Sequence, residues 1–519
     1  MTVAKRVAIN TATKWVSTLV TALLGIVVVT FLVRRLGQAG YGVTVLVTSI
    51  IAFSGFLDFG LRNALGRTLA DAGARDDDVD LRAAASTAHF VYIFLGALAG
   101  VAVAVLAPLL AAVFRIPEEL WAQGIKLIRF YASAMILLTF VNASYAARHI
   151  SRNRYDVVNV TAAISMTVRT VLLFLLVGLG SLGLGGWAIA MISAQSLHTV
   201  TLAMTSRRFY PHLGAAISGC TKEVLRSLLS LGAKLFALQA TSLLSVKADP
   251  LIISSVLGAP ATALYEPAVR LRSAAQPFVN ALSGQLYPLT TAFHATDDRR
   301  RLQAVLIRGT RYTFLLGSAV CVVLGVFSRP IADIWLGGVL GEGSAQVARV
   351  LAVWAAVDLF TYAAGTQWAV LLGMNRLRFL IWTQIPLAIL NVAASYLLVS
   401  FTSLGVVAVV IPTAVIGVIR RPIIVMHTAH ACGISGGEYF RAAYARPFLV
   451  LGVTLSAALA LLFGLDPDTL GSLAVCILLT GLVWGGATWK MGLASGEKAQ
   501  IRRRLRSTWE SVARRGGDS

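Results

Sequence analysis

The stretch TSLLSVKADPLIISSVLG, Thr241 to Gly258, is apolar and long enough to cross much of a bilayer, yet Lys247, Asp249 and Pro250 stand in its middle. A charged side chain at the centre of a membrane helix costs about 2.5–3.5 kcal/mol on insertion scales. Pro250 adds a break, because it lacks an amide proton and frees a carbonyl one turn back, near Val246. Freed backbone at that depth is tolerated only where protein or water satisfies it. The stretch is therefore expected to line a wet internal cavity, with Ser242, Ser245 and Asp249 on one polar stripe.

The surrounding sequence is that of a membrane protein. The 519-residue chain is 57% hydrophobic and 13% charged, with a mean hydropathy of +0.77, whereas soluble domains average about 25% charged residues. Runs of roughly 20 apolar residues recur along nearly its whole length, which is the pattern of spanning helices and not the alternation of an outer-membrane barrel. The expected fold class is all-α and polytopic. About fourteen transmembrane helices are predicted, near 15–33, 42–61, 86–113, 121–145, 158–179, 184–206, 227–257, 264–292, 308–327, 345–372, 380–400, 404–428, 447–464 and 469–490. The basic start MTVAKRVAINTATK runs into an apolar stretch that continues to Leu32 with no cleavage site, so it reads as a retained first helix. Cys220, Cys321, Cys432 and Cys476 lie far apart with no Cys-x-x-Cys pair, and read as packing residues.

A net charge of +22 raises the question of nucleic acid. The distribution answers it. With the N-terminus inside, most of the 45 Lys and Arg residues fall on the even-numbered loops and the two tails, and clusters such as RHISRNR (148–154), DDRRR (297–301), RR (420–421) and IRRRLR (501–506) all land on one face. That bias is the positive-inside rule, and it predicts a multi-pass protein of the cell (inner or plasma) membrane with both termini cytoplasmic. The excess also attracts anionic lipid, at about 1 kcal/mol per residue near the surface. The bilayer is thus the expected partner, and nucleic acid is not. In the tail, Ile501, Leu505, Trp509 and Val512 recur at near-helical spacing, as in an amphipathic surface helix. No loop is long enough for a folded external domain, so an enzyme working there would need to build its site from helix ends.

The expected organisation is a cytoplasmic N-terminus (1–14), a six-helix bundle (15–206), a cytoplasmic linker (207–226), a second six-helix bundle (227–430), a cytoplasmic loop (431–446), two further helices (447–490) and a basic tail (491–519). A faint repeat relates the bundles. RRLGQAGYG (34–42) follows the first span and VLGAPATALYEPAVRLR (256–272) the seventh; each places Leu-Gly a few residues before a Tyr that opens the next span. Spans six apart cross in the same direction, so the halves would be related by an axis along the membrane normal.

The segments FLVRRLGQAGYGVTVLVTSIIAFSGFLDFGLRNALGRTLA (31–70) and KADPLIISSVLGAPATALYEPAVRLRSAAQPFVNALSGQLYPLTTAF (247–293) resemble the polysaccharide transporter family, the Wzx-type lipid-linked oligosaccharide flippases. The resemblance implies the multidrug/oligosaccharidyl-lipid/polysaccharide exporter fold, two six-helix bundles forming a V around a central cavity, with two C-terminal helices added here. It further implies alternating-access transfer of undecaprenyl-diphosphate-linked sugars from the inner to the outer leaflet. This sequence departs from the family around the eighth-span motif by carrying Pro267 and a second arginine, Arg272.

Apart from any family, ionisable residues within spans are functional candidates. A mostly basic set occurs here: Arg169 about eleven residues into the fifth span, Lys247 in the seventh, Arg270 and Arg272 in the eighth and Arg129 in the fourth. Glu266 and Arg270 are spaced i,i+4 with the acid first, a favourable ion-pair orientation. Lys247 and Asp249 differ by about 200° around a helix and cannot face one another. A net positive cavity suits a diphosphate, for which arginine offers bidentate donors and lysine a point charge; buried pairs that merely fix helix packing are the alternative. Asp249 and Asp358 are candidates either for coupling to a proton or sodium gradient or for plain salt bridges. Arg34 and Arg35, at an outer loop, would touch a departing head group or a neighbouring lipid phosphate. His427 and His430 are spaced i,i+3, but no carboxylate or Cys joins them, so no metal or other cofactor is expected.

Four functions compete. A flippase moving a polyprenyl-diphosphate-linked oligosaccharide for cell-surface polysaccharide assembly fits the basic spans; glycan polymerase and glycosyltransferases would be further partners. A multidrug exporter of the same fold would favour an acidic cavity for cationic drugs. A membrane glycan polymerase or glycosyltransferase should show acidic pairs at an outer helix end, where DPD (466–468) is the outer acidic doublet and reads as a turn. A non-transporting scaffold would carry buried charge without a pathway.

Overall fold

The structure, a computed structural model, describes residues 3–58, 60–61, 64–65, 68–69, 78–213, 220–284, 286–499 and 502, except for the side chains of 3–8, 11, 78–80, 212, 234–235, 237–243, 245–246, 281, 283–284 and 377–378. The predicted amphipathic tail at Ile501, Leu505, Trp509 and Val512, and the side chains of Ser242 and Ser245, therefore lie outside the described residues. No strand occurs among those described. The principal helices are α1 (Val3–Phe53), α2 (Asp78–Val113), α3 (Ser133–Ser151), α4 (Tyr155–Leu173), α5 (Gly183–Phe209), α6 (Lys222–Lys247), α7 (Asp249–Leu257) and α8 (Thr262–Gly284), followed by α9 (Leu286–Ala295), α10 (Arg299–Val326), α11 (Gly343–Ala363), α12 (Gly365–Gly373), α13 (Leu377–Phe401), α14 (Val410–Ala431), α15 (Ala445–Leu465) and α16 (Leu470–Ala487).

Helix occurs at every predicted span, and ten helical segments among the described residues are long and apolar enough to cross a membrane. The first of them, Ala12–Asp58, has 47 residues. At 1.5 Å per residue a straight helix of that length would be about 70 Å, more than twice a bilayer core. It is bent instead at Gly37, whose φ of 70° and ψ of 174° lie outside the helical range. The segments at 184–206, 227–257 and 264–292 are not among the ten. Two of these hold Lys247, Asp249, Glu266, Arg270 and Arg272, and the second is interrupted at Ala248, just where Pro250 enters the first turn of α7. Proline costs nothing there, since the first amides of a helix have no partner in it.

The chain forms two compact units, one of residues 1–274, 336–350 and 381–413, the other of 275–335, 351–380 and 414–519. This partition differs from the sequence-ordered bundles 15–206 and 227–430. In the first unit, Leu65, Leu69, Leu81, Tyr92, Ile136 and Phe140 make a continuous apolar core. The second has several smaller cores. Leu306, Phe314, Val370 and Tyr439 form one, and Val322, Phe327, Leu473 and Cys476 another. Cys321 and Cys432 are likewise buried in apolar clusters, whereas Cys220 is exposed.

The faint repeat has a structural counterpart within the first unit. Gly258, after α7, takes φ 89° and ψ 159°, nearly the conformation of Gly37. The backbone carrying one motif lies directly against the other. The Thr262 hydroxyl donates to the Gly42 carbonyl at 3.0 Å, Gln38 reaches the Pro260 carbonyl at 3.4 Å, and a Cβ on Gly42 would stand 2.7 Å from Pro260 Cα. Because the obstacle is backbone, it has no rotamer in which to retreat. Gly42→Ala is expected to destabilise by about 1–3 kcal/mol, seen as a lower melting temperature of the purified protein, whereas Gly25→Ala, with no atom within 4 Å of the added carbon, should leave it in place.

Candidate functional site

A cavity of about 220 Å³ opens within the first unit, walled by α1, α4, α5, the α6–α7 junction and α8. Tyr41, Thr44 and Thr48 approach it from α1, Arg169 from α4, Trp187 from α5, Lys247 from the junction, and Tyr265, Glu266 and Arg270 from α8. The spacing of Tyr41, Thr44 and Thr48 is that of one helix face, so this polar stripe was present in YGVTVLVTS but obscured by its valines. Tyr41 and Tyr265, the tyrosines of the two repeat motifs, thus stand on the same cavity.

Three of the predicted cations converge here. Arg270 is paired with Glu266 at 2.7 Å, as the i,i+4 spacing suggested, with its side chain 44% exposed to the cavity space. Arg169 has no carboxylate partner among the described residues; one terminal nitrogen contacts the Met166 sulfur, and Nε is buried without a hydrogen bond. It lies within electrostatic reach of Arg270. Lys247 is exposed to the cavity and makes no hydrogen bond or ion pair among the described residues. After the Glu266–Arg270 pair is set aside, a guanidinium and an ammonium remain, with hydroxyl groups and aromatic rings around them. That set can bind an anion through charge-assisted hydrogen bonds and stack or hydrogen-bond a polar ring.

The other candidates are placed differently. Arg129 is not a cavity residue: it is exposed on the π-helical turn Leu127–Ala132, where Nε donates to the Ala104 carbonyl at 3.4 Å. Its depth in the fourth span suggested the cavity, but depth does not fix the direction a helix faces. Arg272 does not line the cavity; it is half-buried, engaged, and within electrostatic reach of Asp249. Asp249 is 1% exposed, its Oδ2 accepts the Tyr265 hydroxyl at 2.5 Å, and Oδ1 has no hydrogen-bond partner. Asp358 is buried in α11, in the second unit, and is engaged by a neighbour. Arg34 and Arg35 are exposed just before the Gly37 bend.

Three further expectations change or settle. Arg420 and Arg421, counted with the basic face, lie in the middle of α14, because the helix continues unbroken for a further turn and more on either side. His427 stacks flat on Phe379 at 3.7 Å, a packing role at the helix end. Asp466 adopts a left-handed conformation with φ 36°, so DPD is a turn.

Comparison with known proteins gives a consistent picture. The sequence profile of the family described as "Polysaccharide biosynthesis protein" matches residues 7–294. An uncharacterized membrane protein, EpsK of Bacillus subtilis (strain 168), is 21% identical over 335 residues, 63% of this chain and 65% of its own length, so the match spans just under two thirds of that relative. The inward-facing conformation of a multidrug resistance MATE family transporter of the MOP superfamily superposes with a TM-score of 0.69 at 14% identity, over 80% of this chain and 95% of that one. The lipid II flippase MurJ in an inward closed conformation gives a TM-score of 0.66 at 15% identity, over 91% and 97%. At such identities these likenesses establish a shared fold.

Proposed function

Because the chain belongs to the polysaccharide biosynthesis protein family, we propose that it is a flippase carrying a polyprenyl-diphosphate-linked oligosaccharide from the inner to the outer leaflet by alternating access. It is a multi-pass membrane transporter and not an enzyme. The observation that carries the reading is the pair Arg169, within α4, and Lys247, at the α6–α7 break, which face one cavity without an acidic partner among the described residues. Unpaired cations within the membrane are costly, and a diphosphate supplies the missing charge. The Thr48 hydroxyl, with the edges of Tyr41 and Trp187 behind it in the wall, offers hydrogen bonds and packing surface to the first sugar.

The basic bias of the loops supports cytoplasmic termini and entry of cargo from that side. Asp249 is the better placed of the two coupling candidates, since its Oδ1 is free to take a proton or a sodium ion. Glycan polymerase and glycosyltransferases are the partners that such a cargo would meet before and after transfer.

A multidrug exporter shares the fold, but the cavity works against cationic drugs: its sole lining carboxylate among the described residues, Glu266, is held by Arg270. Reconstitution in liposomes distinguishes the readings. A polyprenyl-diphosphate sugar should change leaflets at a rate well above protein-free vesicles, while the dephosphorylated polyprenyl glycoside and a lipophilic cationic dye should not. Dye transport without diphosphate transport would overturn the proposal.

A further inference from the structure

The second unit contains a larger cavity, about 490 Å³, lined by residues of α8 to α12 and α14, among them Tyr287, Thr313, Trp368, Arg420, Arg421 and Ile424. Its size falls in the range of small-molecule sites, about 300–1,000 Å³. No carboxylate is among its lining residues. Arg421 is fixed within it: its two terminal nitrogens donate to the Val357 carbonyl, at 3.3 Å, and to the Thr361 hydroxyl, and it lies over the bare Cα of Gly417. Asp358, next to Val357, is already engaged and does not line the space.

Arg420 is different. It makes no hydrogen bond or ion pair among the described residues, and its Nε is buried with no partner. It sits near the centre of α14, within a segment apolar enough to cross the membrane and more than two turns from either end of it, so it cannot reach either surface without cost. A guanidinium left open in a dry wall is unfavourable; one that closes on an anion is not. Asn280, Tyr287 and Thr313 add neutral polar groups to the wall, and Trp368, Ala369, Leu372 and Ile424 give it an apolar side. We propose that this cavity is a separate binding pocket for the phosphate group of an amphiphile, with Arg420 as the phosphate-binding residue, Arg421 as a fixed second charge and the aromatic and aliphatic wall taking the adjoining chain. The site lies wholly in the second unit and does not depend on the flippase reading of the first.

The test is photo-crosslinking of the full-length protein in detergent with farnesyl phosphate bearing a diazirine on its chain, followed by peptide mapping. Labels are expected on α12 and α14 near Trp368 and Ile424. Arg420→Gln should lower labelling there by about tenfold, the loss of one charge-assisted hydrogen bond, and Arg420→Lys should restore part of it. Labelling elsewhere should be unchanged, which shows that the variant is folded. Inorganic phosphate at millimolar concentration separates the two sources of the anion: full competition marks a pocket for free phosphate, and weak competition marks a lipid head group. Equal labelling by the diazirine analogue of farnesol, or labelling of α12 and α14 indifferent to Arg420→Gln, would overturn the proposal.

Discussion

A chain carrying Arg169→Glu and Lys247→Glu together is expected to deliver lipid-linked sugar to the outer leaflet about a hundredfold or more slowly than wild type, at an unchanged level in the membrane. Each substitution removes a charge-assisted contact to the cargo, at about 1.5–3 kcal/mol, and every 1.4 kcal/mol is a factor of ten. Reversal adds repulsion against the diphosphate, which neutral truncation would not. Arg129→Ala is the internal control, since that side chain lies outside the cavity and should leave delivery as it was. Arg270 is a poor choice for the same test, because removing it also leaves Glu266 unpaired. Normal delivery by the double variant would end the cationic-cavity mechanism.

The second large effect concerns stability and lies in the other unit. Arg311 of α10 donates to both oxygens of Glu497 at 3.0 and 2.9 Å and also to the Ala442 carbonyl, and the Glu497 carboxylate caps the Ala494 amide at 2.7 Å. Both side chains are buried, 10% and 6% exposed. Removing one partner from such a pair strands the other, so Arg311→Met should cost about 3 kcal/mol, read as a fall in melting temperature. Replacing both, Arg311→Met with Glu497→Met, should recover most of that loss, because two apolar groups of similar volume can replace a buried pair at little cost. If the double variant melts as low as the single one, the pair is not the source of the effect.

This pair also sets a pH dependence. Burial opposes the charged form of Glu497, but the Ala494 amide, the Tyr312 hydroxyl and Arg311 outweigh it and hold the carboxyl below the usual carboxylate range. A group whose pKa is lower folded than unfolded stabilises the fold at pH above its unfolded value and loses that contribution as the pH falls through the folded one. The melting temperature of wild type should therefore drop below about pH 4.5 more steeply than that of Glu497→Gln.

Much of this was legible in the sequence, for physical reasons. Spanning helices announce themselves because backbone groups in lipid must be paired within the segment, and Pro250 marked the break at Ala248 because proline's missing amide is a local property. The Glu266–Arg270 pair follows from helical pitch alone. The convergence of Arg169 and Lys247 was inferred from cost, since each needed a wet surface. What failed was direction. Nothing local distinguishes Arg129, which faces away, from Arg169, which faces in, and Arg420–Arg421 were counted with the basic face although they occupy the centre of a helix. The contact of Gly42 with Pro260 and the Arg311–Glu497 pair join segments far apart in the chain, so periodicity cannot reveal them.

The interlocked bends at Gly37 and Gly258 carry a mechanical implication. With no slack between Gly42 and the Ala259–Pro260 backbone, neither motif can slide past the other. They behave as a single keystone, and any movement of the helices that meet there must find its pivot away from this joint.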